Sequence, residues 1–322
     1  VEIHQQLLTK SKLFCRCPAG RYTDRHDAEV VRHMRPTLSE LGEYDGTALM
    51  EFKTKKEILY LLTFDSVCTY EMDDTPPFEI DREAVDIALE IAIALHCNMV
   101  GELHVARKQY LDGSIPTGFQ RTAIVGVDGW VPYKDRRIRI AQVSVEEDSC
   151  REVSDRGHQV IFRTDRLSMP LTEVVTYPDM ETPEEVAEVT DLLGRVMRKL
   201  GRVRRGAGAT RQDVNVSVEG GTRVEIKGVP SIGLIADLVA NEGLRQRALL
   251  DISEGLEQSG RTSDELRCSR FDATRWLDES HSEILRRAVE AGELVGGIRL
   301  EGMADLFATR LGPTKTFADA VS

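Results

Sequence analysis

Several common signatures are absent from this 322-residue sequence. No apolar run approaches the ~20 residues that a membrane-spanning helix needs. Neither G-x-x-x-x-G-K-[ST] nor G-x-S-x-G occurs, which excludes a phosphate-binding P-loop and the nucleophile elbow of α/β-hydrolases. Any ATP-using chemistry must therefore hold phosphates through metal ions and basic side chains. With 41% hydrophobic and 30% charged residues, we expect a soluble globular protein of two domains, or of one large domain with an appendage.

Cysteine is sparse, and its spacing is not that of a disulfide framework. The six cysteines are Cys15, Cys17, Cys68, Cys97, Cys150 and Cys268. Because no secretory signal precedes them, we expect a reducing, cytoplasmic compartment. A motif is already under way at Val1, so we also expect the chain to be a piece of a longer protein.

Positive charge is in deficit, because the formal net charge is −12. An acidic chain is a poor general binder of nucleic acid. One stretch departs from this balance: "RVMRKLGRVRRGAGATRQ", residues 195–212, contains seven Lys and Arg residues and no acid. It could bind phosphate through counterion release, or it could be a solvated helix end and loop. The sequence leaves both alternatives open.

Hydrophobic periodicity predicts an α+β fold with a mainly antiparallel sheet and flanking helices. Asp81 and Thr182 are expected to cap helices, the second with Glu185 in a capping box. "RRIRIAQVSVEED" alternates as a strand, and Asp128-Gly129 predicts a hairpin turn. Two short strands are expected to meet at Gly220-Gly221, and another amphipathic helix is expected over 277–296.

Acidic and metal-capable side chains recur on the predicted strands. The opening "VEIHQQL" places Glu2 and His4 on one face, since side chains repeat every second residue. Similar residues elsewhere are Glu146, Glu147, Asp148, Glu173, Asp213, Asn215, Glu225 and Lys227. A buried strand carboxylate is costly without a partner. Oxygen ligands with one imidazole suit Mg²⁺ or Mn²⁺, and Mg²⁺ commonly shares its shell with phosphates. Taken singly, each of these residues could instead face solvent.

Two further segments suggest binding. In "ARKQYLDGSIPTGFQRT", Arg107, Lys108, Tyr110 and Gln120 lie among Gly and Pro, which is typical of a substrate-binding loop. Cys15-x-Cys17 could join Cys68 and an oxygen ligand in a zinc site, since "CTYE" has Glu71 where a Cys-x-x-Cys would end. The alternative is that these cysteines are small buried apolar side chains.

An ordered set of motifs resembles the tRNA-dependent amidotransferase B/E family. The motifs are "VEIHQQLLTKSKLFCRCP", "ARKQY…IPTGFQRT", "VSVEEDSCR", "MPLTEVVTYPD", "RQDVNVSV", "VEIKGVPSI" and "RFD". "EIHQQL" and the insertion after "CRCP" resemble the archaeal E form of the family. The resemblance implies a cradle-shaped catalytic domain over 1–275, distantly similar in fold to glutamine synthetase. It further implies that 276–322 are a linker helix and the truncated start of an inserted domain like that of aspartyl-tRNA synthetases.

The resemblance also implies a reaction and its partners. Enzymes of this family use ATP and Mg²⁺ to phosphorylate the γ-carboxyl group of glutamate on Glu-tRNA(Gln), and ammonia then displaces the phosphate. In archaea the ammonia comes from an asparaginase-like D subunit that hydrolyses glutamine. The expected assembly has two D and two E subunits in the cytoplasm, binds tRNA(Gln) charged with glutamate, and has no membrane association.

Site residues carry over from the motifs. His4, Glu147 and Glu173 match ligands of the catalytic Mg²⁺, for which Mn²⁺ could substitute, and Lys227 is added to the catalytic set. Glu2, Asp213 and Glu225 match acids around a second metal or the ammonia route. ATP or substrate is expected to contact Lys10, Arg107, Lys108, Tyr110, Gln120 and Asn215. Because adjacent strand residues alternate, Glu146 is expected to point away from Glu147 and the site. Zinc at Cys15, Cys17 and Cys68 stays open, since Glu71 departs from the family's second cysteine pair.

Two other functions remain compatible with the sequence. The chain could be a non-catalytic tRNA-binding scaffold whose partner performs the chemistry. It could also be another ATP-dependent amide ligase that activates a free carboxylate, such as a relative of glutamine synthetase. ATP cleavage with free glutamate and no tRNA would favour the ligase, whereas a scaffold would cleave no ATP when given Glu-tRNA(Gln) and ammonia.

Overall fold

The computed structural model describes residues 1–36, 38, 42–44, 46–258, 267–277, 281–301 and 303–321. Its mixture of helices and mainly antiparallel sheets confirms the expected α+β class. The strands are β1 Glu2–Gln6, β2 Ala28–Arg32, β3 Glu57–Leu62, β4 Asn98–Met99, β5 Val105–Gln109, β6 Phe119–Tyr133, β7 Arg136–Glu147, β8 Arg151–Arg156, β9 Gln159–Arg163, β10 Pro170–Thr176, β11 Thr210–Val216, β12 Val224–Val229, β13 Cys268–Asp272 and β14 Gly296–Leu300. The helices are α1 Gly46–Thr54, α2 Arg82–Ala94, α3 Pro183–Lys199, α4 Ile235–Gln258, α5 Glu283–Glu290, α6 Ala304–Phe307 and α7 Phe317–Val321.

The largest sheet has the strand order β12-β11-β1-β10-β7-β6-β4, and β5 also pairs with β6. Strand β1 is therefore central, antiparallel to both β10 and β11. One face carries Ile3, Val143 and Val174, all fully buried. Helix α2 packs on β6 and β7 from this side, where its Ala92 meets Gly126. The opposite face is left to carry polar side chains, including His4.

A smaller four-stranded sheet, β2-β3-β9-β8, is built around one parallel pair, β3 with β9. The sequence "EILYLL" forms β3, and its alternate residues Ile58 and Tyr60 are buried in a core with Val160 and Phe162. The rings of Tyr60 and Phe162 stack at 6.2 Å. This core supports the loops beside the larger sheet.

The predicted helix caps are confirmed, but the predicted hairpin is wrong. Asp81 accepts from the backbone N–H of Ala84 at 2.9 Å, and Thr182 accepts from that of Glu185 at 3.3 Å. Strand β6, however, runs straight through Asp128-Gly129, and it turns into β7 only after Tyr133. Asp128 has a φ of 52°, but the pairing register with β7 is the same at Val127 and at Gly129, so β6 continues through the dipeptide. The register shift in this strand lies earlier, between Ile124 and Gly126.

The chain packs as two compact units, Val1–Asn215 with Glu225–Ala236, and Val216–Val224 with Asp237–Ser322. The predicted domain division after residue 275 remains a prediction. In the second unit, β13 and β14 pair antiparallel, and α4 buries Ala248 and Ile252 in a small core with Leu311. The helix expected over 277–296 is shorter, because α5 spans only 283–290 and residues 278–280 lie outside the described chain. Among the described residues, no helix combines the length and apolar character needed to cross a bilayer.

Candidate active site

Four neighbouring strands bring polar side chains to one place on the open face of the larger sheet. In the strand register, His4 pairs with Glu173 and Glu2 pairs with Asp213. Directly opposed strand residues point to the same face, so these four side chains converge. They line a cavity of about 250 Å³, here called the carboxylate pocket. Its lining residues are Glu2, His4, Lys108, Tyr110, Ile115, Gln120, Glu146, Asp148, Ser149, Glu173, Arg211, Asp213, Lys227 and Gly228.

Two overlapping sets of ligand atoms at this pocket are compact enough for a metal ion, and of their residues only Glu225, which is exposed, does not line the pocket. Glu2, His4 and Glu173 each offer one atom within 4.8 Å of the others, and Glu2, Asp213 and Glu225 do the same. Because Glu2 belongs to both sets, the pocket could hold two cations that share a ligand. Carboxylate oxygens with one imidazole are the donor set expected for Mg²⁺ or Mn²⁺. The residues present therefore fit the ions that the sequence implies.

The structure reverses the expected roles of two adjacent glutamates. Glu146, predicted to point away from the site, forms a hydrogen bond of 2.8 Å between its Oε1 and His4 Nδ1. Its other oxygen is buried and has no hydrogen-bond partner within the described chain, although the Lys108 ammonium lies 3.9 Å away. A buried carboxylate oxygen without a partner is costly, which favours a ligand at this point. Glu146 thus lines the pocket, whereas the sequence analysis expected it to point away.

Glu147 lies on the opposite face of the sheet. The sequence analysis grouped it with His4 and Glu173, and the structure does not bring it to them. Its carboxylate accepts from the Tyr70 hydroxyl at 2.6 Å, the Ser168 hydroxyl at 3.0 Å and the Arg121 backbone N–H at 3.1 Å. Burial raises the pKa of Glu147, and these donors oppose the rise. The sequence held the signal, because Val143 and Val145 on the core face share the parity of Glu147.

The imidazole of His4 is held between two acids. Nδ1 lies 2.8 Å from Glu146, and Nε2 lies 3.5 Å from Asp213 Oδ2. Burial disfavours the charged imidazole, but the hydrogen bonds to Asp213 and Glu146 outweigh burial and raise the pKa of His4 to about 10. The same contact keeps the pKa of Asp213 below its ordinary value despite burial. Without a metal ion, the proton on His4 therefore offsets the negative charge of Glu146 and Asp213. A bound metal ion would neutralise the same charge.

The other predicted residues divide between the pocket and its surroundings. Lys108, Tyr110, Gln120 and Lys227 line the carboxylate pocket, and Asn215 donates to Glu2 at 3.1 Å. Lys227 also lies 3.3 Å from Glu225. Lys10 and Arg107 do not line it: both are exposed, and Arg107 lies over the Phe119 ring. Asp148, which the sequence analysis named among the strand acids without a site role, is buried and binds the Arg211 guanidinium at 2.7 Å.

A second metal-capable cluster lies away from this pocket. One atom each of Cys15, Cys17, Cys68 and Glu71 lies within 4.8 Å of the others. Hydrogen bonds from Cys15 and Cys17 lower the pKa of the Cys68 thiol, whereas the pKa values of Cys15 and Cys17 are raised, so without a metal ion the cluster favours one thiolate, at Cys68. Buried Lys12 donates to Glu71 at 2.7 Å and offsets part of the negative charge. Three sulfurs and one oxygen in this arrangement fit a four-coordinate zinc ion.

Together, fold and site define an α+β domain whose main sheet carries a carboxylate-rich, metal-capable pocket. Residues 1–293 match the family described as the GatB/GatE catalytic domain. The chain belongs to this family.

Curated relatives from archaea agree with the family match. Proteins named as the E subunit of glutamyl-tRNA(Gln) amidotransferase are 40% identical in Sulfurisphaera tokodaii, 43% in Saccharolobus islandicus and 38% in Sulfolobus acidocaldarius. The alignments cover 100%, 98% and 100% of this chain, but only 51%, 50% and 51% of those relatives. The chain therefore spans about half the length of the curated relatives it matches.

Proposed function

We propose that this chain carries the ATP-dependent amidation centre that converts Glu-tRNA(Gln) to Gln-tRNA(Gln). The observation that carries the proposal is the pair of ligand sets that meet at Glu2 in the carboxylate pocket. Family membership and the names of the relatives supply the reaction class and the substrate. Phosphorylating a carboxylate brings two anions together, which is why the chemistry needs concentrated positive charge in a pocket otherwise lined by acids.

In this function, Mg²⁺ would be held by His4, Glu173 and Glu2, with Glu146 adjacent, and a second ion by Glu2, Asp213 and Glu225. When bound, the ions would supply positive charge that neutralises the phosphates and the substrate carboxylate. Mn²⁺ has the same ligand preferences. Glu146 would fix the orientation of the His4 ring through Nδ1, which leaves Nε2 directed toward the Asp213 side of the pocket.

The chain's own cations would act on the transferred phosphoryl group. Lys108, Lys227 and Arg211 all line the pocket, and Asp148 fixes the guanidinium of Arg211 at 2.7 Å. The γ-carboxylate oxygen attacks the terminal phosphorus, the bond to the bridging oxygen breaks, and ADP leaves. Ammonia then attacks the activated carbonyl carbon, the bond to the phosphate oxygen breaks, and inorganic phosphate leaves as the nitrogen loses a proton. Fixed cations stabilise the charge that develops in both steps.

The proposal includes partners and a location. A protein of this kind would receive ammonia from an asparaginase-like glutaminase, the D subunit, in a complex of two D and two E subunits. The relatives are named as one subunit of an amidotransferase, which supports the need for other subunits. Glu-tRNA(Gln) would be the acyl substrate, and aminoacyl-tRNA metabolism would place the complex in the cytoplasm.

A structural zinc ion belongs to the proposal as a separate element. Cys15, Cys17, Cys68 and Glu71 would hold it, as their mutual spacing allows. The ion would join the loop after β1 to the segment that follows β3, two stretches more than 50 residues apart in the sequence. Its contribution would be to stability, because the cluster lies outside the carboxylate pocket.

The deciding experiment supplies the full-length protein with Glu-tRNA(Gln), Mg·ATP and ammonium chloride, and omits glutamine. We expect ATP cleavage and Gln-tRNA(Gln) that depend on the charged tRNA. Deacylated tRNA(Gln) and free glutamate are the matched controls. Cleavage with free glutamate alone would indicate a different carboxylate ligase. No cleavage under any of these conditions would indicate a scaffold.

A further inference from the structure

One cavity in the first compact unit lies apart from the carboxylate pocket, and its surface is mainly apolar. It is formed by the segment after β2, the end of α1, the start of β3 and the loop that joins β5 to β6. Its volume of about 500 Å³ is within the usual size for a small-molecule site. We call it the apolar cavity, and its described lining residues are His33, Met34, Arg35, Phe52, Thr54, Lys55, Lys56, Ile58, Leu111 and Asp112. The residues predicted or proposed above to bind metal, ATP or substrate all lie outside this lining.

One wall of the apolar cavity belongs to the core of the smaller sheet. Ile58 is 2% exposed in that core, and Met34 packs against the core from the segment after β2. Phe52 and Leu111 complete the apolar lining. Phe52 is 45% exposed, although phenylalanine is usually buried, so its ring is accessible to a ligand. A concave apolar surface of this kind favours a ligand with an apolar body.

The charges around the apolar cavity favour an anion. Arg35 and Lys55 are exposed, and neither has an acidic partner within the part of the chain that the structure describes. Lys56 pairs with Asp155 at 2.7 Å, which neutralises its charge. Asp112 is the one carboxylate among the described lining residues. The lining therefore has a net positive charge, in a chain whose formal net charge is −12, and it complements a ligand with a negative head group.

The loop that joins β5 to β6 lines both the apolar cavity and the carboxylate pocket. Its residues Leu111 and Asp112 belong to the apolar cavity, whereas Tyr110 and Ile115 belong to the carboxylate pocket. The backbone N–H of Tyr110 donates to the carbonyl of Gly118 at 2.7 Å, which closes the loop at its base. A ligand that packs on Leu111 would therefore restrain the loop whose other residues reach the carboxylate pocket.

The same loop packs tightly on the wall of the apolar cavity. Gly113 has a φ of 86°, and a Cβ at this residue would stand 2.3 Å from Ile58 Cδ1. The Gly113 carbonyl accepts a hydrogen bond of 2.6 Å from the Tyr60 hydroxyl. Because close-packed interiors transmit small displacements, contact of a ligand with Ile58 reaches the loop directly.

We infer that the apolar cavity binds a small amphiphilic anion, and that the bound anion restrains the loop between β5 and β6. The apolar body of the ligand contacts Phe52 and Ile58, and its anionic head group contacts Arg35 and Lys55. A small molecule is favoured over a polypeptide because the cavity has the volume of a single small ligand. The inference deepens the proposed function and rests on it for one point, the regulation of amidation by this ligand.

The first test compares two fluorescent probes that have the same rings and differ in charge. Full-length protein is titrated with anilinonaphthalene sulfonate, an apolar anion, and with phenylnaphthylamine, its uncharged counterpart. In Lys55→Gln we expect the affinity for the sulfonate to fall roughly fivefold, because one charge-assisted contact is lost, and the affinity for the uncharged probe to change by less than about twofold. Lys53→Gln, exposed in α1 and outside the lining, is the matched control and should leave both affinities unchanged.

A second variant tests the apolar wall. Phe52→Ser should weaken both probes roughly tenfold, since it removes apolar contact area, and melting temperatures check that every variant folds. Decanoate, below its micelle concentration, should displace the sulfonate where decanol does not. Unchanged sulfonate affinity in both Lys55→Gln and Phe52→Ser would overturn the inference, and so would equal displacement by decanoate and decanol.

Hydrogen–deuterium exchange tests the restraint of the loop. With decanoate bound, amides of the loop between β5 and β6 should exchange at least about twofold more slowly, while those of β13 in the second unit should be unchanged. Loop exchange that ignores decanoate would overturn the inference. These measurements omit ATP and tRNA, so the anion site can fail while tRNA-dependent amidation succeeds, and the proposed function can fail while the anion still binds.

Discussion

Glu146 and Glu147 are adjacent, chemically identical and almost fully buried, with 1% and 2% of each residue exposed, yet their environments are opposite. The Glu147 carboxylate accepts hydrogen bonds from the hydroxyls of Tyr70 and Ser168 and from the backbone N–H of Arg121. Glu146 binds His4 through one oxygen, and its other oxygen has no hydrogen-bond partner among the described residues, with the Lys108 ammonium 3.9 Å away. The protein has completed one carboxylate by itself and left the other incomplete.

This contrast indicates which of the two buried acids is placed to contact a bound ligand. A buried polar group is normally satisfied, so an unsatisfied carboxylate oxygen in a pocket points to a ligand that completes it. A buried carboxylate whose oxygens both have hydrogen-bond donors instead links the segments that supply those donors. Tyr70, which binds Glu147, is the neighbour of Glu71 in the cysteine cluster, so the rear carboxylate connects that cluster to β7. We call the face of the main sheet that carries His4 and Glu146 the front face, and the face that carries Glu147 the rear face. Substitutions on each face can test this division.

The largest effect is expected for the front face. His4→Ala in the full-length protein should reduce tRNA-dependent amidation by at least roughly 10²–10³-fold, since it removes a proposed metal ligand at the centre of the charge stabilisation. Because His4 offsets the negative charge of Glu146 and Asp213, the melting temperature of the variant is measured with Mg²⁺ present to check that it folds. His158→Ala, in the exposed turn between β8 and β9, is the control. Wild-type turnover in His4→Ala would remove this residue from the mechanism.

The two glutamates can be compared directly by the same substitution. Glu146→Gln should lower amidation about 10²-fold and weaken Mn²⁺ binding, with little loss of stability, because the charge that it removes is incompletely paired. Glu147→Gln should instead lower the free energy of unfolding by about 1–3 kcal/mol, because the amide donors would face the Arg121 N–H and the Tyr70 and Ser168 hydroxyls.

Amidation assays and urea denaturation of both variants measure this crossover. An inactive but stable Glu147→Gln, paired with an active but unstable Glu146→Gln, would invert the assignment of the two faces. Equal losses of activity and stability in both variants would show that the division between the faces does not exist.

A smaller effect is expected at the cysteine cluster, which is connected to Glu147 through Tyr70. Cys17→Ser should lower bound zinc and reduce the free energy of unfolding by about 2 kcal/mol, a shift of roughly 4–8 °C in melting temperature for a domain of this size. Cys268→Ser, exposed in β13, is the matched control. Metal analysis that finds no zinc in the wild type, with equal melting temperatures for both variants, would contradict the zinc proposal.

The sequence predicted the strands and the metal-capable pairs because both depend on period-two alternation, which is local. Glu2 with His4, and Asp213 with Asn215, follow that rule directly. It also located Cys15, Cys17, Cys68 and Glu71 as a set. At "VSVEED" parity was not applied: Glu147 shares the parity of the buried Val143 and Val145, but the motif carry-over placed it at the site. The prediction of a turn at Asp128-Gly129 failed because the positive φ of Asp128 is accommodated inside β6, whose pairing with β7 continues on both sides of the dipeptide.

Other features depended on tertiary structure that no spacing encodes. A cavity of about 740 Å³ in the first compact unit is assembled from segments near residues 6, 20, 151, 166 and 205, so its residues show no common pattern in the sequence. Lys10 and Arg107 illustrate the reverse case. Each belongs to a motif whose other residues reach the pocket, yet each is exposed outside it. A basic residue near a site residue in sequence is therefore weak evidence for phosphate contact.

The smallest expected effect isolates one hydrogen bond of the rear face. Tyr70→Phe removes the donor at 2.6 Å from Glu147 and leaves Ser168 and Arg121 in place. We expect a loss of about 1 kcal/mol in the free energy of unfolding and amidation within about twofold of wild type, because the carboxylate remains partly satisfied. Tyr177→Phe, which removes an exposed hydrogen bond to Asp128, should cost less than about 0.5 kcal/mol. Amidation that fell tenfold in Tyr70→Phe at unchanged stability would mean that the rear carboxylate governs the chemistry on the front face, since a purely supporting hydrogen bond cannot alter turnover without first altering the fold.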